Sequence, residues 1–170
     1  MSDLSTHINL KNNTSYTLGL VGHTSAHGHW DSGPPSSIGS FDSASFSMKD
    51  PSGAAAGSEG TATYQAVVPD TNEEGNNSTI NVTFLVRFCD SYSADNNYCY
   101  FSTSHPELFA ISFEAKTGDG SWNKNYCPES GHPVFYGFYK IDFISKIYLY
   151  HFKITRIVHY GSFYHRSFSQ

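Results

Sequence analysis

Three histidines and a tryptophan fall within eight residues near the start of the chain, in the sequence HTSAHGHW at 23–30. Imidazole nitrogens are common ligands of zinc and copper, and His27 and His29 would share a face if this stretch were a strand. No thiol, and no carboxylate except Asp31, lies at a spacing that would complete such a site. We therefore predict no metal here, with His23, His27 and His29 as the only candidate ligands.

Residues able to perform nucleophilic or acid–base catalysis are present, but they form no recognisable motif. Cys127 and His132 are close in sequence, yet neither stands in a context that would position a base. There is no GxSxG, P-loop or HExxH sequence. We predict a protein that is not an enzyme and that needs no cofactor.

An aromatic-rich polar run, FCDSYSADNNYCYF at 88–101, is a better candidate for a binding site. Tyrosine rings attract quaternary ammonium groups through cation–π interactions, and tyrosine also suits the headgroup level of a bilayer. Two tryptophans in sequences rich in Gly, Ser or Asn could act in the same way. The candidate contact residues are Trp30, Tyr92, Tyr98, Tyr100 and Trp122. The alternative is that these rings pack at the rim of the fold with only their polar ends in water.

Alternation of apolar and polar residues predicts strands, and helical periodicity is almost absent. In TINVTFLVRF at 79–88, Ile, Val, Phe, Val and Phe recur at every second position, so one face is expected to be core. Similar short runs along the chain are separated by turn-like sequences. We predict an all-β fold, a single antiparallel β-sandwich, with residues 23–40 and 117–133 as loops.

Composition divides the chain near residue 140. Residues 1–140 are predicted to form the sandwich domain, and residues 141–170, which are aromatic and basic, either an extension or its final strand. The N-terminal sequence MSDLSTHINL lacks the basic and apolar regions of a signal peptide. The expected location is therefore the cytoplasm, or outside the cell after non-classical release, with action at a membrane surface.

The net charge limits the expected binding partners, and the cysteine count limits the possible disulfide bonds. The formal net charge is −5, and an acidic chain repels phosphate backbones, so nucleic acid is not an expected partner. The three cysteines cannot all pair with one another. They are either reduced thiols or include a Cys89–Cys99 bridge across a hairpin.

The order of motifs in residues 5–115 resembles the small β-sandwich proteins related to aegerolysins, which include fungal haemolysin-like and bacterial crystal-protein relatives. The similarity is carried by His27-Gly28-His29-Trp30, by Pro34-Pro35 and by Ser58-Glu59-Gly60-Thr61. The later sequence, in which a strand runs into a tyrosine-rich loop, is similar in outline to actinoporins. The N-terminal amphipathic helix of actinoporins has no counterpart in MSDLSTHINL.

The resemblance implies a sandwich that binds membrane lipids with choline- or sphingolipid-type headgroups and takes part in cytolysis. It also implies a larger pore-forming partner, since the chain looks like the lipid-binding half of such a system. In this picture Gly28 and Gly60 occupy tight turns that need positive φ, and Pro34 and Pro35 stiffen a loop that presents Trp30. A lectin-like carbohydrate-binding module and a structural or storage β-sandwich are the alternatives.

Overall fold

A computed structural model describes residues 5–50, 57–70, 78–90, 98–116, 122–124 and 138–146. These residues form strands and connections without a helix. The strands are β1 (Thr6–Asn13), β2 (Leu18–His27), β3 (His29–Ser32), β4 (Ser37–Ile38), β5 (Ser43–Lys49), β6 (Ser58–Pro69), β7 (Thr79–Asp90), β8 (Tyr98–Thr103), β9 (Phe109–Lys116), β10 (Trp122–Lys124) and β11 (Phe138–Ser145). Nowhere in these ranges is there a helix with the length and apolar character of a membrane span.

The strands form two sheets. One has six strands in the order β10-β9-β11-β1-β5-β3, and the other has five in the order β4-β2-β6-β7-β8. The predicted all-β sandwich is confirmed. Among the described strands, β1 and β11 form a parallel pair and the other neighbours are antiparallel, so the sandwich is not wholly antiparallel.

The core lies between the sheets because alternate residues of each strand face inward. In β7, Val82, Phe84, Val86 and Phe88 are buried, as the alternation at 79–88 predicted. The ring centroids of Phe84 and of Phe143 in β11 lie 4.6 Å apart, so the two sheets meet through aromatic contacts. Full burial of such side chains contributes about 1.5–3 kcal/mol each.

Residues 23–40 do not form one loop, contrary to the prediction. Strand β2 continues to His27, the chain turns at Gly28, where φ is 79°, and β3 begins at His29. β2 pairs with β6 and β3 with β5, so the chain passes from one sheet to the other at Gly28. Residues 21–27 are all exposed and therefore carry no apolar alternation that would indicate a strand.

The predicted boundary at 140–141 falls inside a strand. β11 spans Phe138–Ser145 and lies between β9 and β1 in the six-stranded sheet. The sandwich therefore includes residues on both sides of the predicted boundary. Residues 147–170, which hold most of the predicted extension, lie outside the described residues.

Cys89 and Cys99 are not joined by a disulfide bond, which excludes the alternative of a bridge between them. Cys99 lies opposite Phe88, and Cys89 lies opposite Tyr98. Consecutive residues of a strand face opposite sides of the sheet, so this register places the two sulfur atoms on different faces. Cys127 is outside the described residues.

Candidate functional site

Two rows of polar side chains cross the outer face of the five-stranded sheet. They lie near the end of the sandwich where β2 ends, β6 begins, β7 ends and β8 begins, which we call the Gly28 end. The register sets Thr24, Thr61, Arg87 and Tyr100 side by side on β2, β6, β7 and β8. We call these four the arginine row. The next row toward Gly28 contains His27, Glu59, Cys89 and Tyr98, which we call the glutamate row.

Glu59, Arg87 and Tyr98 form one hydrogen-bonded network. The Tyr98 hydroxyl donates to Glu59 Oε1 at 2.5 Å, and Arg87 Nε donates to the Tyr98 hydroxyl at 2.9 Å. Arg87 Nη2 lies 3.5 Å from the same Glu59 oxygen. The guanidinium carbon is 5.1 Å from the centroid of the Tyr98 ring, so the cation also gains a cation–π contact. The network fixes the position of the guanidinium group of Arg87, a side chain that is about half exposed to solvent.

The remaining members of the two rows extend this network. His27 Nε2 lies 3.8 Å from Glu59 Oε2, on the side of the carboxylate away from Arg87 and Tyr98. The hydroxyls of Thr24 and Thr61 share a hydrogen bond of 2.7 Å beside Arg87. Tyr100 is 53% exposed, which makes it the open aromatic surface of the site.

The ionisation of the network follows from this packing. The pKa of Tyr98 is raised to about 12, chiefly by burial and secondly by the hydrogen bond to Glu59. The hydrogen bond to Tyr98 raises the pKa of Arg87. Burial, with the charge of Glu59, raises the pKa of the Cys89 thiol to about 11. The phenol and the thiol therefore stay neutral near pH 7.

Trp30 is not presented to solvent by a loop, contrary to the prediction. It lies in β3, half buried, and its ring packs edge-on against Phe46 and Phe88, each 6.0 Å away. Its Nε1 atom is buried, and no described residue accepts a hydrogen bond from it. Trp30 lies at the Gly28 end, as Tyr98 and Tyr100 do, but between the sheets instead of on the outer face.

The other predicted contact residues are only partly described. Trp122 lies in β10, opposite Lys116, and not in a loop as predicted. Its backbone is at the Gly28 end of the six-stranded sheet, at the edge opposite β3. Tyr92 lies outside the described residues. Their predicted roles in contact with lipid remain predictions.

The three histidines are separated by the fold. His23 is exposed, with its ring 5.7 Å from Trp30, whereas His27 faces Glu59. His29 lies on the other sheet near Asp31, whose pKa is lowered chiefly by its hydrogen bond to Lys49. In the part of the chain that the structure describes, no group of three or more metal-ligating side chains comes together.

Of the two glycines predicted to occupy tight turns, one differs from the prediction. Gly28 does adopt positive φ in a turn. Gly60 does not: it lies inside β6, where a Cβ atom would approach Met48 Sδ to 2.7 Å and the carbonyl oxygen of Thr24 to 2.8 Å. Pro34 and Pro35 lie between β3 and β4, and the Pro35 carbonyl accepts a hydrogen bond of 3.3 Å from the Tyr64 hydroxyl. Close packing between the sheets, and not a turn, explains the glycine at 60.

The sequence interpretation missed Glu59 and Arg87 as site residues. One signal was available, because Arg87 is the only charged residue in TINVTFLVRF and occupies an outward position of a predicted strand. Glu59, the ion-pair partner of Arg87, could not be found in the same way. Glu59 and Tyr98 lie 39 positions apart in the sequence, and the three side chains meet only through the register of three strands.

The chain folds as a small β-sandwich, and the solved structures to which it is similar are distant from it in sequence. It is similar to the lipid-binding protein Nakanori, with 12% identity and a TM-score of 0.50 over 85% of this chain and 71% of that chain. It is also similar to IP-1A from Alcaligenes faecalis, with 13% identity and a TM-score of 0.53 over 84% of this chain and 91% of that chain. No protein-family model and no curated protein sequence matches the chain. At these identities the similarity establishes a related fold.

Proposed function

We propose that this protein is a membrane-lipid-binding module that attaches through the outer face of its five-stranded sheet at the Gly28 end. The observation that carries the proposal is the convergence there of the exposed Tyr100 ring with the fixed guanidinium of Arg87. An aromatic ring suits the headgroup layer of a bilayer and can also contact a quaternary ammonium. Nakanori, described as a lipid-binding protein, has a related fold and supports the proposal.

The proposed ligands are choline- or sphingolipid-type headgroups, and the proposed activity is binding without catalysis. We further propose a cytolysin-like role in the manner of aegerolysins and actinoporins, in which a larger partner forms the pore. Tyr92 and Trp122 are proposed to add contacts with the lipid. The sequence resemblance to aegerolysins and actinoporins supports this finer proposal.

Vesicle co-sedimentation tests the proposal. Wild-type protein should sediment with sphingomyelin or phosphatidylcholine vesicles, and Tyr100→Ala should reduce the bound fraction. Val67→Ala is the matched control, because Val67 is 58% exposed on the same sheet but near the opposite end of β6. Equal loss in both variants, or no binding by the wild-type protein to any vesicle, would overturn the proposal. Hits on a glycan array without vesicle binding would favour the lectin alternative.

The pore-forming role has a separate test. Vesicles loaded with a self-quenching dye should bind the protein without releasing the dye. Rapid dye release by this chain alone would contradict the proposed need for a partner, while leaving lipid attachment intact.

A further inference from the structure

Within the described strands of the five-stranded sheet, the outer face carries formal charge at only one point. Across β2, β4, β6, β7 and β8, the charged side chains are Arg87, Glu59 and the buried Asp90. The two that face outward are adjacent, with 3.5 Å between Arg87 Nη2 and Glu59 Oε1. These strands therefore present one positive and one negative formal charge side by side on the outer face.

Arg87 has hydrogen-bonding capacity left over. Its described hydrogen bonds use Nε, toward Tyr98, and Nη2, toward Glu59. A guanidinium group has five N–H donors in a planar arrangement that matches the oxygens of a phosphate. About half of the Arg87 side chain is exposed to solvent, and the two hydrogen bonds above leave further N–H donors for a ligand.

The residues opposite Arg87 on the two neighbouring strands are placed to contact a ligand bound by Arg87. Thr61 lies directly opposite Arg87 on β6, and its hydroxyl is linked to that of Thr24. Adjacent strands are about 4.8 Å apart, so one phosphate group could bridge the Thr61 hydroxyl and the guanidinium. On the other side, Tyr100 lies opposite Arg87 on β8 with its ring open to solvent.

We propose that Arg87 binds the phosphate of a phospholipid headgroup and that Glu59 is the residue that makes the site prefer zwitterionic over anionic headgroups. This inference depends on the proposed function and adds the residues that would read the headgroup. The Glu59 carboxylate cancels the long-range attraction that Arg87 alone would exert on an anionic surface. A zwitterionic headgroup can place its phosphate against Arg87 and its ammonium against Glu59, so each of its charges meets a charge of opposite sign.

Glu59 also holds the site in shape, so its replacement must keep that shape. Gln is nearly isosteric with Glu and can still accept the hydrogen bond from Tyr98 through its amide oxygen. Glu59→Gln therefore removes the negative charge and keeps the contact. Arg87→Gln removes the phosphate-binding group. The matched controls are Glu114→Gln and Lys140→Gln, which alter a 3.8 Å ion pair on the other sheet with the same changes in net charge.

The test measures binding to vesicles of phosphatidylcholine alone and of phosphatidylcholine mixed with phosphatidylglycerol, with thermal unfolding to confirm that each variant is folded. Glu59→Gln should bind the anionic vesicles about fivefold more tightly than wild type, the effect of one additional positive charge near the surface. Arg87→Gln should weaken binding to phosphatidylcholine vesicles at least about tenfold, as expected for loss of a charged hydrogen bond. Glu114→Gln and Lys140→Gln should change neither value in this way.

The outcomes separate this inference from the proposed function. If wild type binds vesicles but the Glu59 and Arg87 variants behave like the two controls, this inference is wrong and lipid attachment stands. If wild type binds no vesicle, both fail. Inorganic phosphate is the competing source of the same chemistry: inhibition of vesicle binding by phosphate at concentrations similar to those of the lipid would overturn the assignment to a headgroup.

Discussion

Tyr98 and Glu59 are joined by a hydrogen bond although a strand lies between them. Glu59 is on β6, Tyr98 is on β8, and the residue of β7 that lies opposite both is Cys89. Neighbouring strands are about 4.8 Å apart, so the two side chains must reach toward each other over β7. The small Cys89 side chain lies in the row between them and is only 8% exposed. The Tyr98–Glu59 hydrogen bond, which helps to position Arg87, therefore also shields the Cys89 thiol.

The shielding of Cys89 predicts its reactivity. With Cys127 replaced by Ser, the native protein should react slowly with a thiol reagent at pH 8, because a thiol with a pKa of about 11 is about one part in a thousand ionised there. Tyr98→Ala should speed the reaction at least about tenfold by removing the cover. Tyr100→Ala, on the same strand but in the arginine row, should leave the rate unchanged. Equal rates for the two variants would contradict the bridge as a cover.

The same thiol predicts a loss of stability in alkali. Folding raises the pKa of Cys89 from 9.0 to about 11, so the folded state holds the proton more tightly than the unfolded state. The resulting stabilisation is fully present below pH 9 and is lost as the pH rises toward 11. The difference in free energy of unfolding between the Cys127→Ser protein and its Cys89→Ala derivative should shrink by up to about 2 kcal/mol over this range. A pH-independent difference in chemical denaturation would contradict it.

Trp30 and Tyr100 should respond to substitution in opposite ways. Trp30→Ala removes a ring packed against Phe46 and Phe88, so we expect a loss of about 3 kcal/mol in unfolding free energy. Tyr100→Ala removes an exposed ring and should cost less than about 0.5 kcal/mol while reducing vesicle binding. Chemical denaturation alongside co-sedimentation distinguishes the two. A stable Trp30→Ala protein with reduced binding would restore the predicted presentation of Trp30.

Gly60 and Gly22 form a matched pair for a test of sheet packing. Gly60→Ala should destabilise the fold by about 1–3 kcal/mol, because the new Cβ would meet the Thr24 carbonyl oxygen and Met48 Sδ. Gly22→Ala, on β2, has no atom within 4 Å of its new Cβ and should be neutral or slightly stabilising. Similar midpoints of thermal unfolding for both variants would refute the close approach at Gly60.

The strands with one buried face were predictable, and those without one were not. In β7, burial imposes an apolar residue at every second position, and this pattern is legible without coordinates. The outer part of β2 is exposed throughout, so no burial selects its side chains and its His, Thr and Ser residues read as loop. β10 has three residues, which is too short to show an alternation.

The sequence by itself determined the all-β class, the inward face of β7 and the candidacy of tyrosines near 98–100, because alternation and aromatic content are local properties of the chain. Only the tertiary structure decided which ring is open, since Trp30 and Tyr100 differ in what other strands place against them. It also decided that Glu59, Arg87 and Tyr98 act together. Their proximity follows from the register of β6, β7 and β8, and hydrogen bonds between strands set that register without leaving a local mark in the sequence.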